Sequence, residues 1–254
     1  MGLIFFDIDG TLAMGTDVPA SAATAMAATR AKGNLVWICT GRPLSYAQTH
    51  FGGYADGFVC SNGRYAVLDG RPVYDHPLTP DQVREIARRL EPVGVGWLFD
   101  GVDAGWYGGN PDGFETMSHV QKPGYARRGV DPDAICAYTL DVWVPDISEL
   151  PRVAEALDGV ALVNPHTPHP SADITVLGVD KGTALAHIAE TLGVAREDTY
   201  AFGDGVNDLC MLEAAGHGIA MGNAVPALKR AADFVTTDID RDGVRNGLAH
   251  FGLL

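Results

Sequence analysis

Two aspartates two positions apart, Asp7 and Asp9, close an unbroken apolar run, Leu3-Ile4-Phe5-Phe6, and are followed by Gly10-Thr11. An apolar run of this length ended by Asp and Gly predicts a buried parallel strand reaching the edge of its sheet. Residues two apart on an extended chain face the same way. Asp7 and Asp9 would therefore project together from the strand's carboxyl end, where open α/β sheets bind ligands. Two carboxylates that close repel each other. A protein keeps such a pair by binding a cation, by holding one proton, or by both.

Three later stretches carry matching chemistry at predicted strand ends or helix starts. They are Thr40-Gly41-Arg42, Lys181, and Gly203-Asp204-Gly205-Val206-Asn207-Asp208. Several acids, one Lys, one Thr and neighbouring backbone amides suit a site for phosphate and Mg²⁺, which prefers carboxylate oxygens and retained waters. Thr40, the amides after it and Lys181 can hold phosphate oxygens, with a helix start adding a favourable dipole. Without such cations an aspartate nucleophile would meet a dianionic phosphate with severe repulsion.

The elements that must position these groups alternate. After the first strand, an Ala-rich helix at 20–32 is ended by Gly33. Leu35–Cys39 is a second buried strand, and Pro43 suits the first turn of a helix at 43–51. Gly57–Cys60 is a third strand. This order predicts a parallel sheet with right-handed crossovers. Residues 65–68 and 72–74 flank Asp69-Gly70, a hairpin turn signal. Near residue 80 the pattern changes. Thr79-Pro80-Asp81 caps an amphipathic helix with Val83, Ile86 and Leu90 at helical spacing. Strand-like pieces follow at 94–99 and 136–144, with 100–113 read as loop, then a helix at 148–157 and strands near 160–164 and 172–177. From Lys181 the first pattern resumes, ending in a helix at 242–251. The fold class expected is α/β, a doubly wound parallel sheet with an inserted α+β cap. Residues 1–79 and 179–254 would form the core and 80–178 the cap.

Composition narrows the function. The chain has 254 residues, 46% of them hydrophobic, and a formal net charge of -14. That is ample for one large or two modest cores. The acidic balance argues against nucleic acid and against anionic membranes as partners. The N-terminal segment lacks a basic region and meets Asp7 too early for a signal peptide. Cys39, Cys60, Cys136 and Cys210 contain no CxxC pair, and a reduced, cytoplasmic setting is expected.

The four stretches together carry a family resemblance. Asp7–Thr11 as DxDGT, Ile38–Arg42, Val179-Asp180-Lys181-Gly182 and Gly203–Asp208 resemble, in order, the four motifs of the haloacid dehalogenase-like (HAD) hydrolases. The insert position is similar to that of Cof-type phosphatases of subfamily IIB, whose cap lies between the second and third motifs. The resemblance covers essentially the whole chain, and the cap itself carries no matching motif. It implies a Rossmann-like core and a Mg²⁺-dependent phosphatase, and adds nothing on substrate identity. The substrate expected is a small phosphorylated metabolite such as a sugar phosphate, and the protein is expected as a monomer or weak homodimer. The resemblance also implies Asp7 as nucleophile and Asp9 as general acid and base. It implies a metal held by Asp7, the Asp9 carbonyl and Asp204, with Asp208 binding it directly or through water, and phosphoryl oxygens gripped by Thr40, Gly41, Arg42, Lys181 and Asn207.

Rival readings remain at this level. A phosphotransferase or mutase of the same superfamily would pass the phosphoryl group to a sugar hydroxyl. A non-catalytic, phosphate-binding signalling protein would share the Asp, Thr and Lys set. Gly203–Asp208 reads G-x-G-x-x-D and lacks the third glycine of a dinucleotide fingerprint. His166 and His169 form an HxxH among prolines, which reads as loop rather than a zinc site. Trp97, Trp106, Tyr107 and Trp143 read as cap core, and Asn62, Arg64 and His119 as candidates for substrate contact.

Overall fold

Four consecutive apolar residues are all buried only in a strand covered on both faces, and β1 (Leu3–Phe6) holds that position. In the computed structural model, which describes residues 1–102, 104–110, 125–128 and 131–254, β1 runs parallel to both its neighbours, β2 (Leu35–Cys39) and β12 (Thr199–Gly203). Phe5 stacks on Trp37 at 5.7 Å between ring centroids, and Phe6 on Phe202 at 4.7 Å. Burying rings of this size contributes about 1.5–3 kcal/mol each, which anchors β1 and with it the place where Asp7 emerges.

The sheet continues with β3 (Gly57–Cys60), β4 (Tyr65–Leu68) and β5 (Arg71–Asp75) on one side. On the other side come β13 (His217–Ala220) and β14 (Phe234–Val235). The order is β14-β13-β12-β1-β2-β3-β4-β5. It is parallel from β14 to β3 and antiparallel at β4 and β5. The β4–β5 turn places Asp69 and Gly70 at φ 49° and 73°, as a two-residue hairpin turn requires. The chain steps from β1 outward to β3, and later resumes at β12 on the opposite side of β1. The carboxyl ends of β1 and β12 therefore flank the point where the winding direction reverses, the usual ligand crevice of such sheets.

The chain divides into two compact units, Met1–Asp75 with Val179–Leu254, and His76–Gly178. Within the second unit, among the described residues, the strands are β6 (Gly96–Asp100), β7 (Gly105–Gly109), β8 (Ala126–Arg128), β9 (Thr139–Trp143), β10 (Ala161–Pro165) and β11 (Ser171–Val176), in the order β10-β11-β9-β6-β7-β8. The helix Pro80–Leu90 starts at a capping box: Gln82 N–H donates to Thr79 Oγ1 at 3.2 Å, and Thr79 N–H to Gln82 Oε1 at 2.9 Å. This helix and Leu150–Ala156 lay Val83, Ile86, Leu90, Leu150 and Val153 in one apolar cluster with Phe99, Leu140, Val142 and Ile174. Alternate positions of β9 and β11, among them Asp141 and Asp173, are half-buried, as period-two patterning demands.

Three readings of this unit change. Residues 105–109, expected as loop, form β7, and β8 pairs beside it in parallel. The glycines that suggested a loop are there because aromatic rings lie on the strand. A Cβ at Gly108 would sit 2.2 Å from the Trp97 ring, and one at Gly105 2.6 Å from Tyr125. The strand expected over 136–144 is confined to Thr139–Trp143. Of the four aromatic residues expected in the core, Trp97 and Trp106 pack there, whereas Tyr107 and Trp143 occupy register positions of the opposite face. Cys39 and Cys60 are buried thiols, and no helix among the described residues is long and apolar enough to cross a membrane.

Candidate functional site

Strand β1 ends where Asp7 N–H donates to the Phe202 carbonyl at 3.0 Å, so the residue is fixed by the sheet itself. Beyond it the chain turns sharply: the Ile8 carbonyl accepts from the N–H groups of Thr11, Leu12 and Ala13. Gly10 makes that turn possible at φ 85°. A Cβ there would also lie 2.3 Å from Asp204 Oδ2, so the glycine clears the space in which the Asp204 carboxylate approaches β1. Thr11 Oγ1 donates to Asp204 Oδ1 at 3.2 Å.

The other strand ends converge on the same place. Lys181, at the start of the helix Lys181–Thr191, is 1% exposed, and its Nζ donates to Asp7 Oδ1 and to Asp208 Oδ1, both at 2.6 Å. Asp208 is fully buried, and its second oxygen accepts from the N–H groups of Asp204 and Gly205, both at 3.0 Å. Asp208 thus closes the turn after β12 and holds Lys181 at once. On the β2 side, Thr40 is buried with its N–H on the Val59 carbonyl at 2.8 Å, and Thr40 Oγ1 accepts from Arg42 N–H at 3.1 Å. A hydroxyl that accepts from its own turn keeps its proton available to an incoming anion.

Three buried or half-buried carboxylates face one ammonium. Asp7 is pushed up to about 7, first by burial and then by the Asp208 charge, with Lys181 pulling the other way. Asp204 is pushed up to about 6, again by burial and then by Asp208. For Lys181, burial disfavours the charge, but the Asp208 and Asp7 carboxylates outweigh it and its pKa rises. The group holds more negative charge than its one cation balances. Oxygens of Asp7, Asp204 and Asp208 lie within 4.8 Å of one another. An all-oxygen donor set with surplus negative charge fits a hard divalent cation such as Mg²⁺.

Of the remaining expected residues, Gly41 lies between Thr40 and Arg42, within Cβ contact distance of the Asn62 side chain. Asn207 is exposed on the turn after β12. Asp9 and Arg42 meet each other, with Arg42 Nε 3.3 Å from Asp9 Oδ2 and the Arg42 guanidinium carbon 5.2 Å from the Tyr46 ring centroid. Arg64 is buried, and burial lowers its pKa. His119 lies outside the described residues. His166, not His169, joins Asp141 and Asp173, its Nε2 2.9 Å from Asp173 Oδ1.

Sequence reasoning missed Asn223. Its Nδ2 donates to the Gly10 carbonyl at 2.8 Å, and its Oδ1 accepts from Ile239 N–H at 2.9 Å. Val225 N–H donates to the Asp204 carbonyl at 2.9 Å. The loop after β13 therefore supports both acidic turns. The signal was Met221-Gly222-Asn223 at the carboxyl end of a parallel strand, the same edge that carries the other site residues.

The chain is similar to known proteins over essentially its whole length. The family profile of haloacid dehalogenase-like hydrolases matches residues 4–248. The Bacillus subtilis protein named "Putative phosphatase YkrA" is 30% identical over 262 residues, covering 99% of this chain and 98% of its own length. Among solved structures, the HAD subclass IIB sugar phosphatase BT4131 superposes with a TM-score of 0.80 at 28% identity, covering 100% of both chains. The phosphatase BT1666 from Bacteroides thetaiotaomicron gives 0.83 at 26% identity, covering 100% of this chain and 96% of its own.

Proposed function

The chain belongs to the haloacid dehalogenase-like hydrolases, as a Cof-type phosphoric monoester hydrolase of subclass IIB, and from that membership we propose that it hydrolyses a small sugar phosphate through an aspartyl-phosphate intermediate with Mg²⁺ bound. The observation that carries this reading is the Lys181 ammonium held between Asp7 and Asp208 at 2.6 Å from each. It leaves the second oxygen of Asp7 available for attack while neutralising part of the surrounding charge.

Asp7, Asp204 and the Asp9 carbonyl would hold Mg²⁺. Asp208, both of whose oxygens already accept from Lys181 and from two amides, would reach it through water. The ion would supply charge neutralisation for the incoming phosphate and orient its oxygens. Thr40, the amides after it, Lys181, Arg42 and Asn207 bind the remaining phosphoryl oxygens. Asp7 attacks phosphorus, the bond from phosphorus to the leaving oxygen breaks, and Asp9 gives that oxygen its proton. Asp9 then takes a proton from water, whose oxygen attacks the aspartyl phosphate, so that inorganic phosphate leaves and Asp7 is restored. The sugar phosphate assignment is supported by the full-length likeness to BT4131, described as a sugar phosphatase. Residues 80–178 would act as the cap that selects the leaving group.

The test is phosphate release from p-nitrophenyl phosphate and from a panel of hexose and pentose phosphates, after metal stripping and with Mg²⁺ restored. Release that depends on Mg²⁺ and vanishes in Asp7→Asn is the expected result. Release undiminished in Asp7→Asn sinks the nucleophile assignment, and isomerised sugar without free phosphate makes the protein a mutase.

A further inference from the structure

Between β3 and β4 the backbone adopts a conformation that few sequences tolerate. Ser61, Asn62 and Gly63 follow one another with φ 51°, 52° and 98°, and all three are buried. Left-handed non-glycine residues are uncommon singly. Two in succession persist only where the surroundings over-determine them, and such strain gathers at functional sites. Asn is among the residues that enter this region most readily.

What holds the turn is the phosphate-gripping machinery. Ser61 N–H donates to the Arg42 carbonyl at 3.2 Å and Asn62 N–H to the Thr40 carbonyl at 3.1 Å. The Thr40 and Arg42 carbonyls, one residue to either side of Gly41, are thereby both tied to this turn. The Asn62 side chain lies over Gly41, where a Cβ would be 3.1 Å from its Oδ1. On its other side, Gly63 presses against the peptide that leads into Lys181. A Cβ at Gly63 would be 2.0 Å from the Asp180 carbonyl oxygen and 2.7 Å from Lys181 N. Asp180 in turn caps the Lys181 helix, its Oδ1 accepting from Thr183 N–H at 2.8 Å. One strained turn is therefore wedged between the two elements that carry Thr40 and Lys181.

We propose that Ser61-Asn62-Gly63 is the spacer that sets the Thr40–Arg42 turn against the root of Lys181, with Asn62 as a positioning residue for the phosphoryl group. This rests on the reading above, in which those two elements grip phosphate. The Ser61 and Asn62 N–H groups are spent on the Arg42 and Thr40 carbonyls and Gly63 backs onto the Asp180 peptide, so loss of the spacer should loosen phosphate without loosening metal.

Two substitutions separate backbone from side chain. Asn62→Gly keeps the left-handed backbone and removes the amide. Asn62→Ala removes the amide and also opposes φ 52°. The readouts are competitive inhibition by inorganic phosphate, KM and kcat for p-nitrophenyl phosphate, the Mg²⁺ concentration for half-activation, and the melting midpoint. In Asn62→Gly the phosphate inhibition constant and KM should rise about tenfold, the size of one lost hydrogen bond, with half-activation by Mg²⁺ unmoved. Asn62→Ala should show the same loss and a lower melting midpoint. An unchanged inhibition constant in folded Asn62→Gly overturns Asn62 as a positioning residue while leaving the phosphatase reading intact. A rise in the Mg²⁺ requirement equal to the rise in the phosphate constant also overturns that role. A wild-type protein that neither hydrolyses the ester nor binds phosphate overturns both.

Discussion

Arg42 Nε sits 3.3 Å from Asp9 Oδ2, and both side chains are about half exposed. The motif reading places Arg42 on the phosphoryl group, yet here it rests on the proposed general acid and over the Tyr46 ring. An ion pair this exposed is worth ~1 kcal/mol or less, so an arriving phosphate dianion can draw the guanidinium away. A charge-assisted hydrogen bond to phosphate contributes roughly 1.5–3 kcal/mol. Arg42→Ala should therefore raise KM about tenfold to a hundredfold with a smaller fall in kcat. If steady-state kinetics instead show an unchanged KM and a reduced kcat, Arg42 serves Asp9 and not the substrate.

Lys181 is held between two buried carboxylates, Asp7 and Asp208. Removing one partner of a buried charge cluster destabilises by about 3–5 kcal/mol, because the others are left uncompensated. Lys181→Met should lower unfolding stability by that order in metal-free buffer and abolish turnover. Saturating Mg²⁺ should restore more stability to the variant than it adds to the wild type, since a bound cation supplies the missing charge. Denaturant titration of both proteins with and without Mg²⁺ reads this directly, and equal increments in the two would count against a metal beside Asp7.

These groups were legible in the sequence because each stands at a strand end or helix start of one parallel sheet, where topology alone brings Asp7, Thr40, Lys181 and Asp204 to one edge. Contacts made by conformation rather than residue type were not legible. Asn62-Gly63 suits positive φ, but nothing in Ser61 announces that it joins them. Asn223 was overlooked because a single amide after a short strand resembles any loop residue. Gly105 and Gly108 misled for a physical reason: glycine that clears room for an aromatic ring and glycine that ends a strand look alike in a single chain.

Replacing the proposed acid should affect the two half-reactions differently. Asp9→Ala removes the proton donor for the leaving oxygen and the base for water, and such catalysis typically supplies ~10²–10⁴-fold. With an alkyl phosphate both steps suffer. With p-nitrophenyl phosphate the departing phenolate needs no proton, so the first step should survive. A burst of about one p-nitrophenolate per enzyme followed by slow turnover is the expected trace in a stopped-flow or quenched measurement. Equal penalties on both substrates with no burst would place Asp9 elsewhere in the mechanism.

The second unit carries its own titrating group. Asp100, at the end of β6, is 5% exposed and accepts from the Tyr125 hydroxyl at 3.1 Å. Burial first, and the Asp173 charge with it, push its carboxyl from 3.8 up to about 7, against the hydrogen bonds from Tyr125 and Asp141. The folded protein then binds this proton more tightly than the unfolded chain does. Stability from this group is therefore fully present below the unfolded pKa near 4, falls as pH rises towards 7, and is flat beyond. One pKa unit corresponds to about 1.4 kcal/mol, so the total is a few kcal/mol at most. Asp7 and Asp204 titrate in the same direction in the other unit, so the signal must be read as a difference. Asp100→Asn keeps the shape without the proton. Unfolding followed by tryptophan fluorescence at pH 5 and pH 8, with Mg²⁺ present throughout, should show the wild type losing more stability than the variant across that interval. Parallel losses in the two proteins would mean that Asp100 is ionised in the folded state at both pH values.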